Sequence, residues 1–173
     1  MLAAGLSLAM YLSGSQLRQI FFYLLGSLHG ADWQSLLVGL PVIAVGSLLI
    51  LVRARSLNGL LLGDDTALHL GVDVRRERAI LLALASLVTA AAVALAGLIG
   101  FVGLVVPHVI RLLVGPNARL VLPLSAIWGG AFLVIADLGA RLAGELPVGI
   151  ITAVIGAPVF VLLLRRYRTG YQL

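Results

Sequence analysis

Of 173 residues, 61% are hydrophobic and only 11% charged, and the mean hydropathy is +1.14; a water-soluble domain carries about a quarter charged residues. The net charge of +5 comes from 12 arginines with no lysine, and no run of basic residues exceeds two, too thin a layer for a nucleic-acid surface. Cysteine is absent, so disulfides and thiolate metal sites are excluded and the solvent to consider is a bilayer.

The chain opens with Leu2–Leu12, an apolar stretch too short to cross a hydrocarbon core and without the basic start of a signal peptide. The chain is therefore expected to begin partway through a helix, with further spans upstream. Gln16–Leu25 is expected to be an external helix lying near the membrane surface. Phe21, Phe22, Tyr23 and Trp33 would be its interfacial anchors.

Five stretches then approach the roughly 20 apolar residues that a span requires: Gln34–Val52, Ala79–Gly97, Leu98–Val114, Leu120–Ala136 and Leu146–Leu164. A bilayer cannot hydrogen-bond free backbone groups, so each should be helical. The expected fold is all-α, a polytopic transmembrane helix bundle of about five full spans plus a partial N-terminal helix. The second and third spans abut at Gly97–Leu98, which predicts a very tight or partly buried turn.

Arginine orients the bundle. Alternating the spans places Arg53, Arg55, Arg75, Arg76, Arg78, Arg111, Arg119, Arg165, Arg166 and Arg168 on one side and only Arg18 and Arg141 on the other. By the positive-inside rule the arginine-rich side, with the C-terminus, is cytoplasmic. Asp32, Asp137 and Glu145 fall on the external side.

The internal loop between Arg53 and Arg78 contains SLNGLLLGDDTALHLGV, which reads as two short helices broken at Gly63. Asp64 or Asp65 can cap the second, Gly71 can end it, and Asp73 can cap the next span. Leu57, Leu60, Leu61, Leu68 and Leu70 are too many leucines for an idle exposed loop. Two readings stay open: they pack against the ends of the spans, or they dock a partner.

GLIGFVGLVVPHVIRLLVG, from Gly97 to Gly115, combines apolar residues with groups a membrane helix avoids. Gly97, Gly100 and Gly103 are spaced three apart and would let neighbouring backbones approach closely. Pro107 meets the carbonyl of residue 103, which predicts a kink or an unwound turn. His108 reads as a hydrogen-bonded core group rather than a metal ligand, because no second histidine lies at ligand spacing. Arg111 would cost about 2.5–3.5 kcal/mol at the bilayer midplane and should sit at the cytoplasmic boundary. Together these residues make a structural motif and not a catalytic site.

Further on, Asp137, Arg141 and Glu145 lie at i, i+4 and i+8 and would pair on one helical face, with Gly144 and Pro147 cutting the helix short. In GIITAVIGAP, the small residues Gly149, Ala153, Gly156 and Ala157 suit close helix packing, within the chain or against a second copy.

Several ordered motifs carry a family resemblance: GLIGFVGLVVPHVIRLLVG, ADLGAR, ELPVGIITAVIGAPVF and LNGLLLGDDTALHLGV. From about LRQIFFYLLGSLHGADW to the tail, the chain resembles permeases of the FecCD type, the membrane subunits of ABC importers for iron–siderophore complexes, haem and vitamin B12. The resemblance implies that residues 1–173 are the C-terminal part of a single permease domain, matching about half of some ten membrane helices. It implies an inner (plasma) membrane location, a homodimer of permeases in lipid, two cytoplasmic ABC ATPases and an external solute-binding protein. Leu57, Leu60, Leu61, Gly63, Asp64, Ala67, Leu70 and Gly71 would then form the ATPase-coupling loop. Arg141, with Glu145, would dock the binding protein. No cofactor is expected on this chain: without lysine it has no phosphate-binding GxxxxGK loop, so ATP and magnesium would belong to the partner ATPase.

Two rivals belong to other classes. An intramembrane hydrolase would need Ser13 or Ser15 with His29 or His108, but these lie on different helices and SGS lacks the GxSxG context of a nucleophile elbow. A metal-ion permease would need an intramembrane cluster of His, Asp or Glu, which the spans lack.

Overall fold

The computed structural model describes residues 22–69, 71–144 and 146–168, with side chains through residue 163. Leu2–Leu12, most of Gln16–Leu25, Leu70 and Glu145 lie outside the described residues. After a helical stretch at 22–25, seven helices follow among them. They are α1 (Trp33–Val52), α2 (Ala54–Leu61), α3 (Asp64–His69), α4 (Val74–Ala96), α5 (Val102–Val114), α6 (Ala118–Leu142) and α7 (Val148–Arg168).

α1, α4 and α6 are long and apolar enough to cross a membrane, rising about 30–37 Å at 1.5 Å per residue. α5 and the apolar part of α7, Val148–Leu163, are shorter. The architecture is a polytopic helix bundle, and most of its large apolar side chains face outward, from Leu37 and Val38 on α1 to Val154 and Leu162 on α7. Outward apolar faces are what lipid or another membrane helix requires.

Caps set the helix starts. Asp32 Oδ1 accepts from Ser35 N at 2.8 Å to begin α1, and Asp73 Oδ1 accepts from Arg76 N at 3.0 Å to begin α4. That cap draws the polar turn Arg75–Arg78 into α4, which therefore starts five residues before the expected apolar boundary at Ala79. α6 likewise outruns the expected Leu120–Ala136. Asn117 caps its start, and an Asp137–Arg141 pair supports its last turns.

α1 and α4 form the most extensive helix pair. Gly39 and Gly46 of α1 receive Leu95 and Val88 of α4, so the two backbones approach where a methyl group would not fit. At the far end of the bundle, Ala136 and Ala140 of α6 pack with Val148 of α7 and with Leu28. Thr152, fully buried, donates to Gly149 O at 3.1 Å and so satisfies its hydroxyl within α7.

The expected tight turn at Gly97–Leu98 is instead a five-residue non-helical connector, residues 97–101. Gly97 leaves α4 at φ 70, and Phe101 enters α5 at φ 66. The glycine tolerates that value at no steric cost, whereas the phenylalanine is strained. The connector is tied back by Leu98 N→Tyr23 O at 3.3 Å, beside Ser27 N→Ala96 O at 2.9 Å. Backbone bonds of this kind are what permit irregular chain in an apolar setting. α5 then runs unbroken through Pro107. The unwound segment therefore lies upstream of the proline, not at it.

Candidate functional site

The bundle has two unlike ends. One gathers the close of α1, the α2–α3 pair and the starts of α4 and α6, with Arg53, Arg55, Arg75, Arg76, Arg78, Arg111 and Arg119. The other gathers residues 23–28, the 97–101 connector, the close of α6 and the start of α7, where Arg141 is the one arginine among the described residues.

At the arginine-rich end, Gly63 separates α2 from α3 at φ 104, and its carbonyl accepts from Ala67 N at 3.0 Å. Asp64 and Asp65 occupy the first turn of α3, but neither gives it a side-chain cap in this structure; Asp64 instead accepts from Arg78 Nη2 of α4 at 2.8 Å. α3 closes in a Schellman arrangement, with Gly71 N→Leu68 O at 2.9 Å, Val72 N→Ala67 O at 3.0 Å and Gly71 at φ 78. Ala67 is fully buried, with Gly59 of α2 packed close beside it.

The leucines divide between the two readings left open by the sequence. Leu57 and Leu60 are half-buried and line an apolar groove of about 370 Å³ with Ile50, Leu81, Leu82 and Ala85, so they face the spans rather than open solvent. Leu61 and Leu68 are 52% and 59% exposed. Leu62, not singled out by the sequence, is 67% exposed beside them. Helical periodicity could have found it, since α2 is strongly amphipathic.

Ties that the sequence did not reveal hold this pair in place. Arg53 Nη1 meets Glu77 Oε1 at 2.6 Å, with side chains 34% and 19% exposed. Asn58 of α2 reaches the start of α6, where its Nδ2 donates to Asn117 Oδ1 at 2.9 Å and its Oδ1 accepts from Ala118 N at 2.8 Å. Neither partnership has a local sequence signal, because the residues lie far apart in the chain.

In the central motif, Gly97 packs where a Cβ would collide with Tyr23 O. Gly100 and Gly103 do not share that role: a Cβ at either meets nothing within 4 Å. The helical spacing suggested one packed stripe, but unwinding at 97–101 rotates the three glycines out of register. Pro107 and His108 are half-buried on α5, and Arg111 is exposed in its last turn, at the arginine-rich end. Among the described residues no group of three His, Cys, Asp or Glu stands ready for a metal ion.

At the opposite end, Arg141 Nε donates to Asp137 Oδ2 at 2.7 Å across one helical turn, with side chains 52% and 18% exposed. α6 ends at Leu142 and Gly144 follows at φ 94. The small residues of α7 face the same end: a Cβ at Gly149 would collide with Leu25 O, and one at Gly156 with Phe101.

Such a bundle of apolar helices, with a two-helix excursion at its basic end, defines a polytopic membrane protein. The family model of the FecCD transport family matches residues 1–166, and the chain belongs to that family. It is 55% identical over 166 residues to a cobalamin import system permease protein, BtuC, of Halobacterium salinarum, covering 95% of this chain and 45% of that protein. It is 43% identical to the hemin transport system permease protein HmuU of Yersinia pestis, covering 95% and 51%. A solved structure described as an inward-facing conformation of a metal-chelate type ABC transporter superposes with a TM-score of 0.80 at 35% identity, covering 95% of this chain and 55% of that one. The chain thus spans about half the length of the curated relatives it matches. The family is one of transport proteins, which leaves the hydrolase reading without support; Ser13 and Ser15 lie outside the described residues.

Proposed function

We propose that the chain acts as part of the membrane-spanning permease of an ABC importer that carries a metal chelate, of the cobalamin, haem or iron–siderophore kind, into the cytoplasm. The observation that carries this reading is the α2–α3 pair. It projects Leu61, Leu62 and Leu68 from a strongly basic bundle end while its other face is anchored by Arg53–Glu77 and Asn58–Ala118. An anchored helix pair with an exposed apolar face is built to meet a second protein. In this reading the partner is a separate ATPase that binds the ATP and magnesium, because a chain without lysine has no phosphate-binding loop of its own.

The arginine distribution supports a cytoplasmic position for that end and for the C-terminus. The Arg141 end then faces outward, where the half-exposed guanidinium is available to an acidic surface of a solute-binding protein. The outward apolar faces suit lipid and a second permease copy. The haem, cobalamin and metal-chelate descriptions of the relatives support the substrate class, and nothing in the bundle favours one chelate over another.

The test is to change Leu61 and Leu68 to aspartate in the full-length permease, sparing Leu60 because it lines the groove facing α4. The double variant should fold and reach the membrane yet lose copurification of the ATPase. Retention of the ATPase together with chelate uptake would sink the proposal.

A further inference from the structure

Asn58 uses both ends of its carboxamide. Its Oδ1 accepts from Ala118 N, and its Nδ2 donates to Asn117 Oδ1, which in turn accepts from Arg119 N at 3.1 Å. The first N–H groups of a helix have no partner inside it, and Ala118 is only 4% exposed, so water serves that amide poorly. A side chain 60 positions earlier therefore completes the N-terminus of α6. Only a residue with donor and acceptor on one short side chain can do both tasks. On the next residue, buried Gly59 brings α2 against Ala67 and Val72. α2 is thus clamped to α3 on one side and to α6 on the other.

α6 is continuous for 25 residues, about 37 Å, from this contact to the Arg141–Asp137 pair at the opposite end. A helix transmits displacement along its axis because stretching it breaks hydrogen bonds.

We propose that Asn58 is a positioning residue that ties the α2–α3 pair to α6, so that movement of the pair reaches the far end of the bundle. This rests on the reading of α2–α3 as the ATPase-facing pair. The ion pairs Arg53–Glu77 and Arg78–Asp64 join that pair to α4 instead. The Asn58 bonds are the side-chain link to α6 among the described residues.

These 173 residues hold no cysteine, so Leu142→Cys, with any cysteine elsewhere in the full-length permease and its ATPase replaced by serine, gives one site for an environment-sensitive fluorophore. Leu142 is 81% exposed and adjoins Arg141. The full-length permease with its ATPase in nanodiscs is treated with ATP and vanadate, and the fluorescence change is recorded. Asn58→Ala should shrink that change roughly fivefold or more, the size of a modest coupling. Asn117→Ala spares the bond to Ala118 N and should shrink it less, and the double variant should be no worse than Asn58→Ala alone, because both changes act on one tie. Asn58→Asp keeps an acceptor for Ala118 N and should restore most of the response. It also serves as the folded control if Asn58→Ala assembles poorly.

A full response in Asn58→Ala, or none in the parent protein, overturns the proposal. So does an equal loss in Asn58→Ala and Asn58→Asp. The Leu61→Asp, Leu68→Asp variant separates the underlying reading. If it keeps both ATPase and response, α2–α3 is not the ATPase contact and the tie falls with it. If it loses the ATPase while Asn58→Ala responds fully, only the role of Asn58 fails.

Discussion

The α2–α3 pair meets the bundle through Arg53–Glu77, Arg78–Asp64 and Asn58–Asn117, whereas residues 23–28, the connector and the start of α7 meet one another through main-chain bonds and glycines. Side-chain ties are individually modest and can re-form after a small displacement. Glycine contacts leave no space to move, because the neighbour is backbone. One end of the molecule is thus fixed and the other adjustable, an asymmetry that fits the proposed ATPase contact at the adjustable end.

The largest effect should come from breaking the fixed end. Gly149→Ala places a methyl group on the Leu25 carbonyl oxygen, which cannot rotate away, and should cost about 3 kcal/mol or more. Gly103→Ala is the internal comparison: it sits in α5 with open space around it and should be neutral or stabilising by up to about 1 kcal/mol. Melting curves of the two purified variants in one detergent check the contrast. Equal melting temperatures would remove the claim that one end is locked by backbone.

At the adjustable end, Arg53→Ala leaves the Glu77 carboxylate at 19% exposure without its guanidinium. The pair is neither fully buried nor free in water, so a loss of about 2 kcal/mol is expected, between the values for those extremes. Arg78→Ala breaks a pair whose side chains are both 55% exposed, and should cost about 0.5 kcal/mol or less. Salt sharpens the difference. The Arg78 effect should vanish near 1 M salt, and most of the Arg53 effect should survive.

The five apolar segments could be read from run lengths alone, but not as five full spans: among the described residues α1, α4 and α6 are long enough to cross, while α5 and the apolar part of α7 are shorter. Gly63, Gly71 and Asp73 were legible too, because their roles depend on their immediate neighbours. The break at Gly97 could be read as well, but the five-residue length of the 97–101 connector could not. Leu98, Ile99, Phe101 and Val102 are apolar, so hydropathy runs through the connector without a signal, and only the two positive-φ residues mark it. Asn58–Asn117 and Arg53–Glu77 escaped for a different reason, since they join residues brought together only after the helices pack. Leu60 was read with Leu61 because leucines look alike in sequence. Rotation by one helical position sends the first toward α4 and leaves the second exposed.

The Arg141–Asp137 pair tests the outer end more gently. Arg141→Glu sets two carboxylates one turn apart and should lower stability by about 1 kcal/mol even without a partner, since Asp137 is mostly shielded. If Arg141 also docks a binding protein, the same change should slow association most at low ionic strength. An acid-to-arginine change on the partner should restore part of that loss. A melting curve beside a binding titration across salt separates the two roles, and unchanged affinity at low salt leaves Arg141 with its local pair only.

The smallest effect should come from the α1 cap, at the rim of the fixed end. The Ser35 hydroxyl, and then the Ser35 N–H, hold the Asp32 carboxyl below its ordinary value of 3.8. The folded chain therefore favours the ionised form. Its contribution to stability is complete above the unfolded value, and it is lost as pH falls through the lower folded value. Below that point the cap weakens and the first turn of α1 should fray, next to Trp33, which is 79% exposed. With Trp128→Phe, Trp33 becomes the sole tryptophan of the two and reports that turn alone. Its emission should hold steady down to pH 3.8 and shift only as pH falls below it in the parent, and stay flat throughout in Asp32→Asn, which keeps an acceptor for Ser35 N without a titrating charge. Identical pH profiles in both proteins would mean that the cap is held by the helix behind it. The fixed end would then extend to Asp32 itself.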